Sequence, residues 1–344
     1  MKKLIGIFSI ILAMLSVSSC TVRKVQSSVS SDTVSVYENV SETVSESGIT
    51  DVIAGTEPGT TVTTETTETV TTFVPDEPGD DVFAPIETLL QSPPVQDAFT
   101  AFCYYDITTG ISYVYNGSQI VYGASLMKLP FAMSILYDAE TEDLGLDEVF
   151  TFTGKENVDG TGEIKNLPVG STYTRLELIQ YLLKYSDNVA LRELRSKLGY
   201  DRYFEYVTEI GADSFTGGYG WNLCAEDCID VLLSAWEYIS GDHLYSEEIK
   251  KAMVESVYPY MLTPGLGGKQ IARKYGWDEK AYHDMGIVLD EHPYILVFLS
   301  DMDSEETATA TNAYICRIAQ TVSSIHEQIW GAHNGTETEN TVAE

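Results

Sequence analysis

Strand patterns at both ends of the central region enclose a long run of helical patterns. Residues 98–117 (AFTAFCYYDITTGISYVYNG) read as a hairpin, and three more runs rich in β-branched and aromatic residues follow between 271 and 300. Helical periodicity dominates residues 125–257, and a closing helix is expected over 308–330. Strands from both ends must therefore share one sheet. We predict an α+β fold with a five-stranded antiparallel sheet flanked by helices and an inserted all-helical subdomain.

The chain begins with the features of a secreted protein. Residues 1–20 have two lysines, a short apolar core and small residues before Cys20, which is typical of a signal peptide and too short for a spanning helix. The ending Val-Ser-Ser-Cys resembles a bacterial lipoprotein processing site and predicts lipidation at Cys20; in the alternative, Cys20 belongs to an ordinary secretory signal. Residues 21–84, rich in Ser, Thr and acids, predict a disordered tether, and residues 332–344 an acidic tail.

These segments place the folded domain at residues 85–331, outside the cytoplasm and anchored to the outer face of the bacterial cell membrane. A formal net charge of −32 argues against nucleic acid as a partner. The five histidines lack the spacing of a metal site, so we expect neither metal nor cofactor. We expect a monomer.

A helix that is apolar almost throughout follows Ser125. Residues 126–137 read LMKLPFAMSILY, in which Lys128 is the only charge. Burying an unpaired ammonium is costly, so Lys128 must be paired or neutral. Ser125 lies three residues earlier on the same helical face, where a lysine of lowered pKa is a suitable base for a serine nucleophile. The alternative is that Ser125 only caps the helix and Lys128 extends its head to the surface.

Two further motifs follow in a fixed order. Residues 186–188 read Ser-Asp-Asn between two helical runs, and residues 274–276 read Lys-Tyr-Gly on the first of the late strands. Together with the Ser-x-x-Lys motif at Ser125, this order resembles the set found in class A β-lactamases and penicillin-binding proteins. The resemblance covers essentially the whole folded region and implies a β-lactamase/transpeptidase-like fold.

The resemblance also implies roles for individual residues. Ser125 would be the nucleophile and Lys128 its base, while Ser186 would pass a proton to the leaving nitrogen. Asp187 would hold the turn, and the backbone N–H groups of Ser125 and Trp277 would form the oxyanion hole. The catalytic residues would then be Ser125, Lys128 and Ser186, and the substrate-binding residues Asn188, Lys274, Tyr275, Gly276 and Trp277. The implied ligand is a β-lactam or a peptidoglycan stem peptide.

Two departures from the family pattern affect the expected reaction. Tyr275 stands where the family has Thr or Ser, whose short hydroxyl binds the substrate carboxylate. Two alternatives are open for Arg273: it compensates for the missing hydroxyl, or it is simply solvated. The interval from Ser186 to Lys274 is shorter than in class A enzymes, as if the loop with the deacylating glutamate were missing. Asp213, Glu226 and Asp227 are the acids of that region, but acids in a first helical turn are expected on dipole grounds alone.

The sequence therefore supports a serine acyl-enzyme hydrolase and leaves two alternatives open. One is a D,D-peptidase or penicillin-binding type of enzyme that releases its acyl group slowly. The other is a wall-binding lipoprotein that kept the fold and lost the chemistry. Cys224 and Cys228 are interpreted as core residues, and Cys103 and Cys316 could meet if the first strand packs on the last helix.

Overall fold

The computed structural model describes residue 79 and residues 82–141, 144–258, 260–278, 281–302 and 307–331. The predicted signal peptide, the lipidation site Cys20, most of the predicted tether and the acidic tail lie outside these residues. Their predicted boundaries stay predictions.

One five-stranded antiparallel sheet forms the centre of the fold, in the order β2-β1-β9-β8-β7. The two amino-terminal strands pair as a hairpin, and β1 then pairs with β9 from the other end of the domain. This arrangement confirms the predicted sheet. Its strands are β1 (Thr100–Asp106), β2 (Ser112–Tyr115), β7 (Gln270–Asp278), β8 (Ala281–Leu289) and β9 (Tyr294–Ser300).

Helices lie on both faces of this sheet, and most of them come from the segment between β2 and β7. The α-helices are α1 (Ala84–Leu90), α2 (Lys128–Thr141), α3 (Arg175–Lys184), α4 (Asn188–Leu198), α5 (Asp201–Glu209), α6 (Ala225–Ser240), α7 (Ser246–Val254) and α8 (Ala308–Gly331). Short 3-10 helices cover Ala124–Met127, Ile164–Asn166, Asp213–Gly220 and Thr263–Leu266. The inserted helical subdomain and the closing helix are confirmed.

Each face of the sheet has its own hydrophobic core. Along β1, Cys103 and its alternate neighbours pack against the inserted helices, whereas Phe102 and Tyr104 pack towards α1 and α8. This alternation is the two-residue period of a strand that is buried on both faces. Cys103 and Cys316, which lies on α8, therefore do not meet, and both are free. Cys224 and Cys228 are buried and free, as their interpretation as core residues requires.

Two small antiparallel pairs complete the fold and were not expected from the sequence. Strand β3 (Val121–Tyr122) pairs with β6 (Asn222–Leu223), and β4 (Val149–Thr151) pairs with β5 (Thr172–Thr174). The first pair joins the segment before Ser125 to the segment before α6.

Among the described residues, no helix combines the length and apolarity needed to cross a bilayer. The same residues hold no cluster of three or more His, Cys, Asp or Glu side chains suited to a metal ion.

Candidate active site

Ser125 lies on a 3-10 turn that is held from two sides. The Gly123 N–H donates to the Trp221 carbonyl at 2.7 Å, through the β3–β6 pair. On the sheet side, His283 Nε2 bonds the Tyr122 carbonyl at 2.8 Å, while its Nδ1 accepts from the Ser300 N–H. Burial lowers the pKa of His283 to about 4. The ring is therefore neutral near pH 7, and Nε2 must donate to Tyr122.

The backbone at this turn is strained in the way that functional sites often are. Ala124, directly before Ser125, has a φ of 45°, in the left-handed region that a non-glycine residue seldom adopts. Ser125 is the second residue of the 3-10 turn Ala124–Met127, and in such a turn residues three apart lie one above the other. Ser125 and Lys128 consequently lie on the same side of the turn, and the Ser125 side chain is partly exposed.

Gly276 lets strand β7 approach this turn closely. A Cβ atom at Gly276 would lie 2.8 Å from the Gly123 carbonyl oxygen and 3.3 Å from the Leu126 nitrogen. Any side chain here would push the strand away from the turn that carries Ser125. The glycine of the third motif is therefore required by packing at the site, and it brings Trp277 next to the turn.

Lys128 is fully buried and is bonded to the second motif. Its Nζ lies 2.6 Å from the Ser186 carbonyl oxygen, 2.6 Å from Asn188 Oδ1 and 3.2 Å from Ser186 Oγ. Burial lowers the pKa of Lys128 to about 7, although nearby Asp187 acts in the opposite direction. Lys128 thus does not extend to the surface. Among the described residues, the Ser125 hydroxyl is not a hydrogen-bond partner of this amine.

The Ser186 hydroxyl joins two lysines. Lys274 Nζ lies 3.0 Å from Ser186 Oγ and 2.6 Å from the Tyr275 carbonyl oxygen. Burial first, then the charges of Lys128 and Arg273, hold the pKa of Lys274 well below its usual value. Ser186 itself has a φ of 52°, so the turn that presents its hydroxyl is strained like the turn at Ala124.

Asp187 holds the turn between α3 and α4 and fixes the loop beside it. Its Oδ1 accepts from the N–H groups of Val189 and Ala190, which caps α4. Its Oδ2 accepts from the N–H groups of Glu163 and Ile164 at 2.7 and 2.9 Å. The structural role predicted for Asp187 therefore extends to a second segment.

That second segment, residues 159–164, was not recognised from the sequence. Thr161 Oγ1 donates to the Ser186 carbonyl, and the Thr161 carbonyl accepts from the Asn188 N–H. The Asn188 side chain donates to the Asp159 carbonyl at 2.8 Å, which turns its Oδ1 towards Lys128. The one available signal was the pair Gly160 and Gly162, since both have positive φ and leave no room for a Cβ atom beside the second motif.

Tyr275 is buried and belongs to an aromatic cluster. Its ring stacks on Tyr258 with centroids 4.9 Å apart, and Trp277 lies 5.4 Å from Tyr258. The Lys274 ammonium lies 4.3 Å from the Tyr275 ring centroid. Burial raises the pKa of the Tyr275 phenol, and the neighbouring Ser186 hydroxyl acts on that pKa in the opposite direction.

Arg273 is neither solvated nor directed to the cleft. It is 2% exposed and pairs with the buried Asp284 at 2.7 Å. The same guanidinium donates to the carbonyl groups of Tyr258 and Tyr260 and to Thr263 Oγ1. Arg273 therefore fixes the segment before β7 to the sheet.

Three acids were considered as the base for deacylation, and the structure places them away from that role. Asp227 accepts from the Ser214 N–H at 2.7 Å, and Glu226 occupies the first turn of α6. Asp213 is exposed at the start of a 3-10 helix. In the part of the chain that the structure describes, none of these three carboxylates is hydrogen-bonded to Ser125.

Comparisons with known proteins agree with this architecture. A family model described as the beta-lactamase enzyme family matches residues 87–326. Among solved structures, PBP-A is 20% identical with a TM-score of 0.64, covering 75% of this chain and 100% of that one. A PBP-A mutant determined as an acyl-enzyme complex with penicillin G is 19% identical, with a TM-score of 0.62 and coverage of 74% and 100%.

A bacterial β-lactamase has a similar likeness to this chain. The enzyme from Chitinophaga pinensis is 20% identical with a TM-score of 0.62, covering 72% of this chain and 100% of its own. At identities of 19–20%, these similarities show that the folds are alike and no more. No curated protein sequence matches the chain.

Proposed function

The chain belongs to the beta-lactamase enzyme family, and we propose that it is a serine acyl-enzyme hydrolase acting on a β-lactam or a related cell-wall peptide amide through Ser125. The observation that carries the proposal is the buried Lys128 amine, which shares one side of a turn with Ser125 and hydrogen-bonds Ser186. A pKa of about 7 makes this amine a usable base near neutral pH.

In the proposed acylation, Ser125 Oγ attacks the carbonyl carbon while its proton passes to the neutral Lys128 amine. The backbone N–H groups of Ser125 and Trp277 would hold the oxyanion, as in the family. The close packing of Gly276 against the Gly123–Leu126 turn supports this pairing. Catalytic hydrogen bonds often form only in the complex with substrate. This step is therefore compatible with the described contacts of the Lys128 amine, which are to Ser186 and Asn188 and not to Ser125.

Collapse of the tetrahedral intermediate breaks the carbon–nitrogen bond and needs a proton on the leaving nitrogen. We assign that transfer to Ser186, whose Oγ is 3.2 Å from Lys128 and 3.0 Å from Lys274. Lys128, which carries the proton taken from Ser125, can return it to Ser186 Oγ. The products are an ester on Ser125 and a free amine, and Lys128 is neutral again.

Release of the acyl group requires a base for the attacking water. Asp227 and Glu226 are positioned by α6 and its neighbours, and no described carboxylate bonds Ser125. This observation favours the second candidate function, a penicillin-binding or D,D-peptidase type of enzyme with slow deacylation. A non-catalytic wall-binding lipoprotein is the third reading, and it predicts no reaction at Ser125 at all.

Intact-protein mass spectrometry tests the proposal directly. After exposure to a panel of β-lactams, we expect the mass to increase by one ligand, with the adduct on the peptide that contains Ser125. An adduct that persists for many minutes indicates the slow-release enzyme, whereas rapid return of the free protein with product formation indicates a hydrolase. An unchanged mass with no product across the whole panel would contradict both and leave the non-catalytic reading.

We also propose that the domain works outside the cytoplasm on a lipid anchor at Cys20, which residues 1–20 support. Metabolic labelling with a tagged fatty acid in a bacterial host should mark the full-length protein, and Cys20→Ala should lose the label and leave the membrane fraction. Equal labelling of both proteins would reject the anchor.

A further inference from the structure

We propose that the cleft beside Ser125 takes a neutral amide or ester, with no free carboxylate next to the scissile bond, in preference to a carboxylate-bearing ligand. This inference rests on the proposed function and narrows its substrate class. It applies to internal peptide bonds of the cell wall, or to bonds whose carboxyl end is amidated, more than to a free carboxyl terminus.

Arg273 is the cation that could replace the missing short hydroxyl, but it is held within the fold. Its hydrogen bonds go to Asp284 at 2.7 Å, to Thr263 Oγ1 at 2.9 Å and to the carbonyl groups of Tyr258 and Tyr260. Its guanidinium also lies 5.9 Å from the centre of the Tyr275 ring, so these described partners all belong to the protein itself. At 2% exposure, it cannot reach a ligand without breaking a buried ion pair, which typically costs several kcal/mol.

Lys274, the other cation on the described part of β7, is likewise held by neighbouring groups. Its ammonium is fully buried, bonded to Ser186 Oγ and the Tyr275 carbonyl, and lies 4.3 Å from the centre of the Tyr275 ring. These contacts occupy the donors that a carboxylate would need. Burial also lowers the pKa of Lys274 well below its usual value, which acts against the charged form that a carboxylate would need.

Tyr275 itself is poorly suited to bind a carboxylate. Its ring is held by Tyr258 at 4.9 Å and is 3% exposed, so residue 275 contributes at most one neutral hydroxyl beside Ser186. A phenol donates one hydrogen bond, which suits the single carbonyl oxygen of an amide or ester. A carboxylate is best bound by charged or paired donors.

The formal net charge of −32 acts in the same direction, because it repels an anionic ligand.

Paired ligands that differ only in this one group test the inference. We would measure acylation rates with benzylpenicillin and its methyl ester, and cleavage of diacetyl-lysyl-D-alanyl-D-alanine and its carboxamide, each divided by its rate of alkaline hydrolysis. The neutral member of each pair is expected to react about tenfold faster, equivalent to about 1.4 kcal/mol in the transition state. Tyr275→Thr should shift this ratio towards the acids, whereas the matched control Tyr275→Phe, which keeps the ring, should retain the preference for neutral ligands.

Each outcome supports or overturns the inference. A tenfold preference of the native protein for the acids would overturn it, and so would a preference for acids that Tyr275→Phe abolishes, since the phenol would then be the carboxylate donor. Lys280 lies outside the described residues, and its charge is tested with the variant Lys280→Ala. A preference for the acids that this variant removes would overturn the inference as well. If no member of either pair reacts, the proposed function itself fails.

Discussion

Ser125→Ala and Lys128→Met are each expected to lower the rate of acylation by at least about 10³-fold. The first removes the only atom that can form the ester. The second removes the base while keeping an unbranched side chain of similar length in the apolar surroundings of Lys128. Stopped-flow or quenched-flow measurement of adduct formation, with the best ligand of the panel, gives both rates.

The pH dependence separates a base from a structural lysine. A base acts in its neutral form, so with a pKa of about 7 for Lys128 the native acylation rate should rise through pH 7 and level off above it. Below pH 6, the rate should fall about tenfold per pH unit. The residual rate of Lys128→Met should not show this rise. A flat profile for the native protein would remove Lys128 from the role of base.

The free energy of unfolding gives an independent control for the Lys128→Met variant. Because the folded pKa of Lys128 lies below its usual 10.5, the native state binds fewer protons than the unfolded state between about pH 7 and 10.5. The free energy of unfolding of the native protein should therefore rise with pH in this window relative to that of Lys128→Met. Chemical denaturation of both proteins at pH 7 and pH 9 measures this difference. A variant that is inactive because it is unfolded would be recognised at once.

The sheet was predictable because its signal is local and repeated. Strand alternation and β-branched or aromatic residues mark β1, β2 and the three late strands in the sequence, and the buried helix after Ser125 is marked by its single charge. The β3–β6 and β4–β5 pairs have two or three residues per strand, which is too short for a periodic pattern.

The position of Arg273 shows why the site was only partly predictable. Its cross-strand partner on β8 is Gly286, where a Cβ atom would lie 2.7 Å from the Arg273 Cβ. Arg273 can be buried because Gly286 has no side chain and because Asp284, also on β8, supplies the opposite charge. The residues next to Arg273 in the sequence indicate neither the glycine opposite it nor the buried carboxylate. The contact between Lys128 and Ser186 likewise depends on the left-handed backbone at Ser186, for which the sequence has no glycine to signal it.

The same dependence on long-range contacts makes Asp187 important for stability. Asp187→Ala is expected to lower the free energy of unfolding by roughly 3–5 kcal/mol. The carboxylate is fully buried and accepts four backbone N–H groups, two at the start of α4 and two from Glu163 and Ile164. Alanine leaves all four donors without this acceptor and removes the negative charge that raises the pKa of Lys128.

A matched cap separates this effect from ordinary helix capping. The described bonds of the Thr174 hydroxyl cap α3 through Glu177 and reach no other segment, so Thr174→Ala should cost only about 1 kcal/mol. Asp187→Asn, which keeps one acceptor oxygen, should fall between the two alanine variants. Urea denaturation of the three variants gives the comparison, and equal losses for Asp187→Ala and Thr174→Ala would contradict the prediction. The acylation rate of Asp187→Ala should fall as well, even where the variant is folded, because residues 159–164 position both the Ser186 carbonyl and Asn188 against Lys128.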